Sequence, residues 1–143
     1  MIRLERVIGA LPSGFEALQA EARVQGHRML DTLADEWEAG KTRFDRPGEA
    51  LYVAYDDEVM AAIGGITLEP TIPGALRMRR FYVCRHFRRC GVGRALALML
   101  LKACNGRMVT ANAAAGSEPF WEALGFVPDR RDGHTHLLPS TPA

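Results

Sequence analysis

The sequence predicts an α/β (α+β) fold in which one mixed central sheet carries helices on its faces. Three observations predict it. Strand-like alternation and helix-like stripes succeed one another along the whole chain. Three apolar strand runs follow each other between residues 51 and 83. The helical blocks stop at glycines, namely Gly26, Gly40 and Gly125. With 143 residues, 48% hydrophobic and 24% charged, the chain has the size of one domain, since domains run to about 100–200 residues. We assign it to residues 1–138, with 139–143 as a frayed tail.

Ile2 and Leu4, with Val7 and Ile8 behind them, suggest a first strand closed by Gly9 and Pro12. Ser13 stands as N-cap to a helix whose Phe15, Leu18 and Ala22 recur at helical spacing. Leu30, Leu33, Ala34 and Trp37 form the apolar stripe of a second helix, with Asp31, Asp35 and Glu38 opposite. Leu51, Val53 and Tyr55 alternate before Asp56-Asp57, and Val59 to Leu68 resumes the apolar run, which reads as a hairpin. Leu76–Val83 is the next strand, with Met78, Arg80 and Tyr82 on one face and Arg77, Arg79 and Phe81 on the other. Gly91-Val92-Gly93 opens the helical block Arg94–Cys104, and Met108 to Asn112 makes a short strand. Ser117-Glu118-Pro119 starts a last helix. Phe126 to Arg131, the turn Asp132-Gly133 and His134 to Leu138 read as a closing hairpin. The order is β-α-α-β-β-β-α-β-α-β-β.

Composition narrows the function classes. An odd count of three cysteines points to a reducing compartment, and no C-x-x-C pair or His/Cys cluster offers zinc its ligands, so no metal is expected. Arg and Glu interrupt the apolar positions of the first fifteen residues, and no run of ~18 apolar residues could span a bilayer. A cytoplasmic protein without membrane contact is the expectation. All seventeen acidic residues lie outside Leu76–Ser117, a stretch holding Arg77, Arg79, Arg80, Arg85, Arg88, Arg89, Arg94, Lys102 and Arg107. Such asymmetry predicts a polyanionic ligand, unless arginine is simply this chain's default solvating cation. The acidic remainder and the lack of a reading motif argue against nucleic acid and for a phosphorylated cofactor.

The sharpest motif is Arg88-Arg89-Cys90-Gly91-Val92-Gly93-Arg94, between a strand and a long helix. Glycines let the backbone approach a ligand, and the first amides of a helix have no intrahelical partner, so this end suits phosphate. Leu96 stands where a Rossmann loop has its third glycine, and no Gly-Lys-Ser/Thr follows. The loop alone fits a plain tight turn equally well.

At these residues the chain resembles the GNAT superfamily of acyl-CoA-dependent N-acyltransferases. Arg88, Gly91 and Gly93 meet its Arg/Gln-x-x-Gly-x-Gly/Ala pattern. Phe120-Trp121-Glu122-Ala123-Leu124-Gly125-Phe126 looks like its second signature, and the element order is the family's throughout. The resemblance implies a GNAT-like sheet and acetyl-CoA as cosubstrate, its pyrophosphate cradled by the amides of Arg89, Cys90, Gly91, Val92, Gly93 and Arg94. It further implies that the pantetheine arm pairs with Phe81-Tyr82-Val83, splayed from the following strand, and meets Asn112. A main-chain N–H near Val83 would serve the developing oxyanion.

The departures are informative. Arginine stands at 89, where relatives commonly have glycine, and at 85, where they commonly have proline. Trp121 occupies the position of a tyrosine that protonates the departing thiolate in many relatives, and an indole is no usable acid. Core packing is its plainer role, and Ser117 or water could replace the acid. No glutamate stands on the strands where some relatives place a base, which leaves Glu69 as the carboxylate candidate beside a water chain. His86 would face phosphate or solvent, and His134 and His136 read as an exposed pair. For the acceptor, Arg77 and Arg79 suit an anion while Asp31, Asp35, Glu36 and Glu38 suit a polycation, and a solvated face explains either set. The expected activity is acetyl transfer to a primary amine of a small-molecule or peptide acceptor by direct attack, in a monomer or homodimer. The alternative is a catalytically weakened acyl-CoA sensor or interaction protein.

Overall fold

The computed structural model describes residues 1–131 and 133–141. Its elements are β1 (Ile2–Arg6), α1 (Phe15–Val24), α2 (Met29–Glu38), β2 (Ala50–Asp56), β3 (Val59–Leu68) and β4 (Leu76–Val83), then a short 3-10 turn (Arg85–Phe87). α3 (Val92–Ala103), β5 (Val109–Ala111), α4 (Glu118–Ala123), β6 (Val127–Pro128) and β7 (His136–Leu138) follow. The order is the predicted one. Among the described residues no helix is long and apolar enough to cross a membrane.

The seven strands form one sheet in the order β1-β2-β3-β4-β5-β7-β6. All neighbours are antiparallel except β4 and β5, which run parallel and pair only at Leu76↔Val109 and Arg77↔Thr110. Both faces are covered, because each apolar stripe must find a partner surface. Phe15, Leu18 and Ala22 of α1 and Leu30, Leu33 and Trp37 of α2 pack on one face with Leu51, Val53 and Ile63. Val92, Leu96 and Leu100 of α3 and Trp121 of α4 pack on the other with Ile66, Leu76, Met78 and Val109.

Four local expectations are corrected. Alternation along β4 breaks at Arg80, whose φ of 54° lies in the left-handed region. The register passes from Gly65↔Arg79 to Ile63↔Tyr82, so Arg80 and Phe81 together face Gly64 in a β-bulge. Phe81 and Val83 therefore join Leu76 and Met78 on the α3 face, while Tyr82 joins the α1/α2 face. Ser13 does not cap α1, whose N-cap is Gly14. Ser117 is the N-cap residue of α4 as expected, but its hydroxyl makes no capping bond and donates instead to Ala114 O at 2.7 Å.

The fourth correction concerns the closing hairpin and its histidines. β7 pairs with β6 on one side and β5 on the other, so His136 is an interior residue rather than an exposed one. His134 and His136 are 4% and 1% exposed, held by Asp129 Oδ2 at 2.7 Å and Glu122 Oε2 at 2.9 Å. The predicted Asp132-Gly133 turn falls partly outside the described residues, as does the tail. Thr141, within that tail, donates its N–H to Gly106 O at 2.9 Å.

β3 lacks side chains where its neighbours crowd it. A Cβ on Gly64 would lie 2.6 Å from Phe81 Cδ2, and one on Gly65 would overlap the Phe44 ring and meet Ala50 O at 3.1 Å. Phe44 is 2% exposed and has nowhere to retreat. Gly65→Ala is expected to cost about 1–3 kcal/mol of stability by overpacking. A urea midpoint that falls at unchanged slope is the measurement that checks it.

Candidate functional site

The parallel β4–β5 pair ends at Arg77 and Thr110, and from Met78 onward the β5-side edge of β4 has no strand partner. Six residues at ~3.3 Å each leave about 20 Å of open backbone edge inside the sheet. Cys84 N–H donates to Ala61 O at 2.7 Å, so the pair Ala62↔Val83 is a non-hydrogen-bonded one. In such a pair the backbone groups point outward, which turns the Val83 N–H and C=O into the opening. Tyr82, opposite Ile63, turns its amide to β3 instead. Arg88 Nε donates to Val83 O at 3.1 Å, leaving the Val83 N–H as the group that faces the gap.

The Gly loop stands at the mouth of this opening. Gly91 is the N-cap of α3 with φ 83°, and a Cβ there would meet nothing within 4 Å. Arg89 also lies in the left-handed region, at φ 65°, which accounts for glycine suiting that position. The first loop amide to find a protein acceptor is that of Ala95, which donates to Gly91 O at 3.0 Å. Among the described residues, the N–H groups from Arg89 to Arg94 make no well-formed protein hydrogen bond. Successive free amides at left-handed turn positions and a helix N-terminus form an anion cradle. Gly93 seats this cradle on the strand, because a Cβ there would be 3.0 Å from Val83 Cγ2 and 3.3 Å from Phe120 Cε1. Cys90 is exposed, and with His86 and Phe87 it borders a cleft of about 340 Å³ against the chain's first residues.

One part of the scaffold is invisible in the sequence. Glu21 of α1 accepts from Tyr82 Oη at 2.6 Å, from Arg85 N–H at 3.0 Å and from Cys84 Sγ at 3.3 Å. Burial works to raise the Glu21 carboxyl, and these donors outweigh it and hold it below the usual carboxylate range. Gln25 Oε1 accepts from Arg88 at 2.8 Å, and the Arg88 guanidinium lies 5.4 Å above the Tyr82 ring. Arg88 thus ties the end of β4 and the loop to α1. Only these long-range contacts reveal Glu21 and Gln25, which sit on an ordinary polar helix flank.

Glu69, just past β3, is 5% exposed. Its Oε1 accepts from Arg77 at 3.2 Å and Thr110 Oγ1 at 2.9 Å, and its Oε2 from Thr71 N–H at 2.6 Å and Thr71 Oγ1 at 2.8 Å. Burial alone would raise its pKa, but these donors outweigh it and bring it to about 2. A carboxylate of that strength is a poor proton acceptor near neutrality. Its position has another effect: Arg77 and Thr110 are the last paired residues of β4 and β5, and Glu69 holds both.

Trp121 is 5% exposed and packs against Phe81, Phe120 and Phe126 at ring-centroid distances of 5.0, 4.9 and 5.3 Å. Asn112 lies exposed directly after β5. On the α2 side of β4 a polar pocket of about 320 Å³ opens between α2, the loop before β2, the end of β3 and Arg79 and Arg80. Glu36 pairs with Arg80 at 2.6 Å there, and Asp31 with Arg23 at 2.6 Å, so these α2 carboxylates are engaged.

The Acetyltransferase (GNAT) domain family matches residues 17–142 of this chain. No curated protein matches the sequence significantly. Among solved structures, a provisionally assigned acetyltransferase from Exiguobacterium sp. 255-15 superposes with a TM-score of 0.88 at 22% identity, covering 97% of this chain and 93% of that one. The ribosomal-protein-S18-alanine N-acetyltransferase of Escherichia coli gives 0.69 at 16% identity, covering 100% and 96%. Glucosamine-6-phosphate N-acetyltransferase of Arabidopsis thaliana gives 0.62 at 14% identity, covering 92% and 95%. At these identities the likeness is one of fold.

The Glu69 linkage has a defined sign. Its folded pKa lies below the ordinary 4.5. Its stabilisation is therefore complete above that value and is lost as the pH falls toward about 2, and a shift of this size corresponds to about 3 kcal/mol. Glu69→Gln is expected to lower stability at pH 7 by a similar amount and to flatten the acid limb of the stability curve. Urea unfolding of both forms across that pH range checks it.

Proposed function

The chain belongs to the GNAT acetyltransferase family, and from that membership we propose that it transfers the acetyl group of acetyl-CoA to a primary amine by direct nucleophilic attack. One observation carries the reading: the run of free amides from Arg89 to Arg94 stands at the mouth of the β4–β5 opening. The residues fit acetyl-CoA on their own chemistry. The cradle suits a pyrophosphate, the surrounding stretch is basic and acid-free, and the open β4 edge suits the amide-bearing pantetheine arm. Bound there, acetyl-CoA supplies the activated acetyl group.

The chain's own groups then have distinct tasks. The amides of Arg89 through Arg94 hold the pyrophosphate, and the main chain of Phe81-Tyr82-Val83, with Asn112, aligns the arm. The Val83 N–H donates to the thioester oxygen as it gains charge, and a preorganised donor of this kind is worth about 10²–10³ in rate. The amine nitrogen bonds to the acetyl carbon as the C–S bond breaks, and the sulfur leaves with the electron pair. A thiol of pKa ~8.5 departs tolerably as thiolate, so Trp121 acts as packing rather than as acid. We assign proton removal from the ammonium to water. The clamped carboxylate of Glu69 argues against that role and for one of holding the strands.

Two measurements test this. Gly91→Asp places a carboxylate inside the cradle, where its Cβ meets no atom although φ 83° strains it, and is expected to weaken acetyl-CoA binding by at least about tenfold in calorimetry, with Gly91→Asn as the uncharged control for that strain. Unchanged affinity would defeat the assignment. Trp121→Phe is expected to keep turnover within about threefold over roughly pH 6 to 9, with the rate rising with pH in both proteins as the amine loses its proton. Thiol release from acetyl-CoA provides the readout.

A further inference from the structure

Three arginines sit within four residues of β4, and the protein neutralises only two. Arg77 meets Glu69 at 3.2 Å and Arg80 meets Glu36 at 2.6 Å. Arg79 spends one N–H, its Nε, on the neutral Thr67 hydroxyl at 3.1 Å. Its two terminal nitrogens donate to no protein atom among the described residues, and Arg79 lines the 320 Å³ pocket. Burial and then the flanking charges of Arg77 and Arg80 push the Arg79 pKa down and outweigh the opposing pull of Glu36 and Glu69, so its charge is only partly compensated in the free protein. A planar guanidinium beside a pocket with both terminal nitrogens uncommitted offers a fork for an oxyanion.

The rest of the pocket has the same sign. Lys41 and Arg46 also line it and form no ion pair among the described residues. Glu36 is spent on Arg80, which leaves Glu49, 8% exposed, as the uncommitted carboxylate. The free charges are three cations against one anion. The volume is at the small end of the ~300–1,000 Å³ of ligand pockets, which suits a small molecule rather than a folded partner. The pocket and the opening share strand β4. Arg79 sends its side chain to the α2 face four residues before Val83, whose N–H faces the opening.

We infer that the acceptor is a small primary amine bearing an oxyanion, carboxylate or phosphate, which Arg79 holds in this pocket while a short linker carries the amine to the β4 opening. The inference rests on the acetyl-transfer reading above and adds the acceptor's chemical class. Amines with a second positive charge are disfavoured by the same field.

Four primary amines of similar reach decide it: 4-aminobutanoate, 3-aminopropyl phosphate, uncharged-tailed 4-amino-1-butanol and cationic putrescine. The two anionic amines are expected to exceed aminobutanol in kcat/KM by at least about tenfold, with putrescine lowest. Whichever anionic amine leads identifies the oxyanion. Arg79→Gln should erase the preference through KM for the acceptor, with acetyl-CoA affinity unchanged in calorimetry. Equal or better use of aminobutanol or putrescine, or a preference that survives Arg79→Gln, overturns the inference. If none of the four is acetylated, calorimetric titration of the two anionic amines into the acetyl-CoA complex still decides it. Binding that disappears in Arg79→Gln supports the assignment, and no binding overturns it. Failure of the wild-type protein to bind acetyl-CoA would instead strike the acetyl-transfer reading.

Discussion

The Glu69 carboxylate is the constraint on which the rest of the architecture turns. One oxygen accepts from both Arg77 and Thr110, the side chains of the last residue pair joining β4 to β5. Two parallel strands that pair for so short a distance gain little from their ladder, and the fold must fix the divergence point by other means. A buried, fully hydrogen-bonded carboxylate does this where a hydrophobic contact could not, because its bonds have direction. Such a charge is tolerated only with its partners in place, so the clamp and the opening it defines stand or fall together.

From that fixed point the anion cradle is positioned by close approach rather than by flexibility. Gly93 allows α3 to rest on Val83 and Phe120, and Arg88 closes the loop back onto Val83 O. On the opposite face Glu21 and Gln25 reach from α1 to Tyr82, Arg85 and Arg88. The loop is held from both sides of the sheet, while its own amides from Arg89 to Arg94 remain available. Preorganisation of this sort keeps a binding site from spending ligand affinity on ordering itself.

Most of this was legible where the physics is local. Alternation, helical stripes and the residues of helix starts and turns located the strands and α-helices, and the glycines of the 88–94 loop marked the run of free amides before α3. What escaped was set by contacts distant in sequence. Nothing about Arg80 announces a left-handed residue, yet the bulge there reverses which β4 side chains face which helices. Glu69 reads as a loop charge until Thr110, far along the chain, is brought beside it. His134 and His136 look like surface residues because alternation alone cannot reveal that β7 inserts between two strands and that Asp129 and Glu122 wait for them. Ser13 has the chemistry of a cap but Gly14 takes that place, and Ser117 takes its place at the start of α4 while its hydroxyl turns back to Ala114 O.

The division of the sheet has a mechanical consequence. β1 to β4 form one leaf and β5, β7 and β6 another, and the backbone ladder joins them at two residue pairs alone. α3 packs on β2, β3 and β4, so the loop before it is anchored to the first leaf. What the short ladder leaves undone is carried by the Glu69 bonds and by the packing of Trp121 and Phe126 across the α3 face. Substitutions in β5 to β7 therefore bear on the width of the opening through this shared packing, while the loop itself keeps its anchorage on the first leaf.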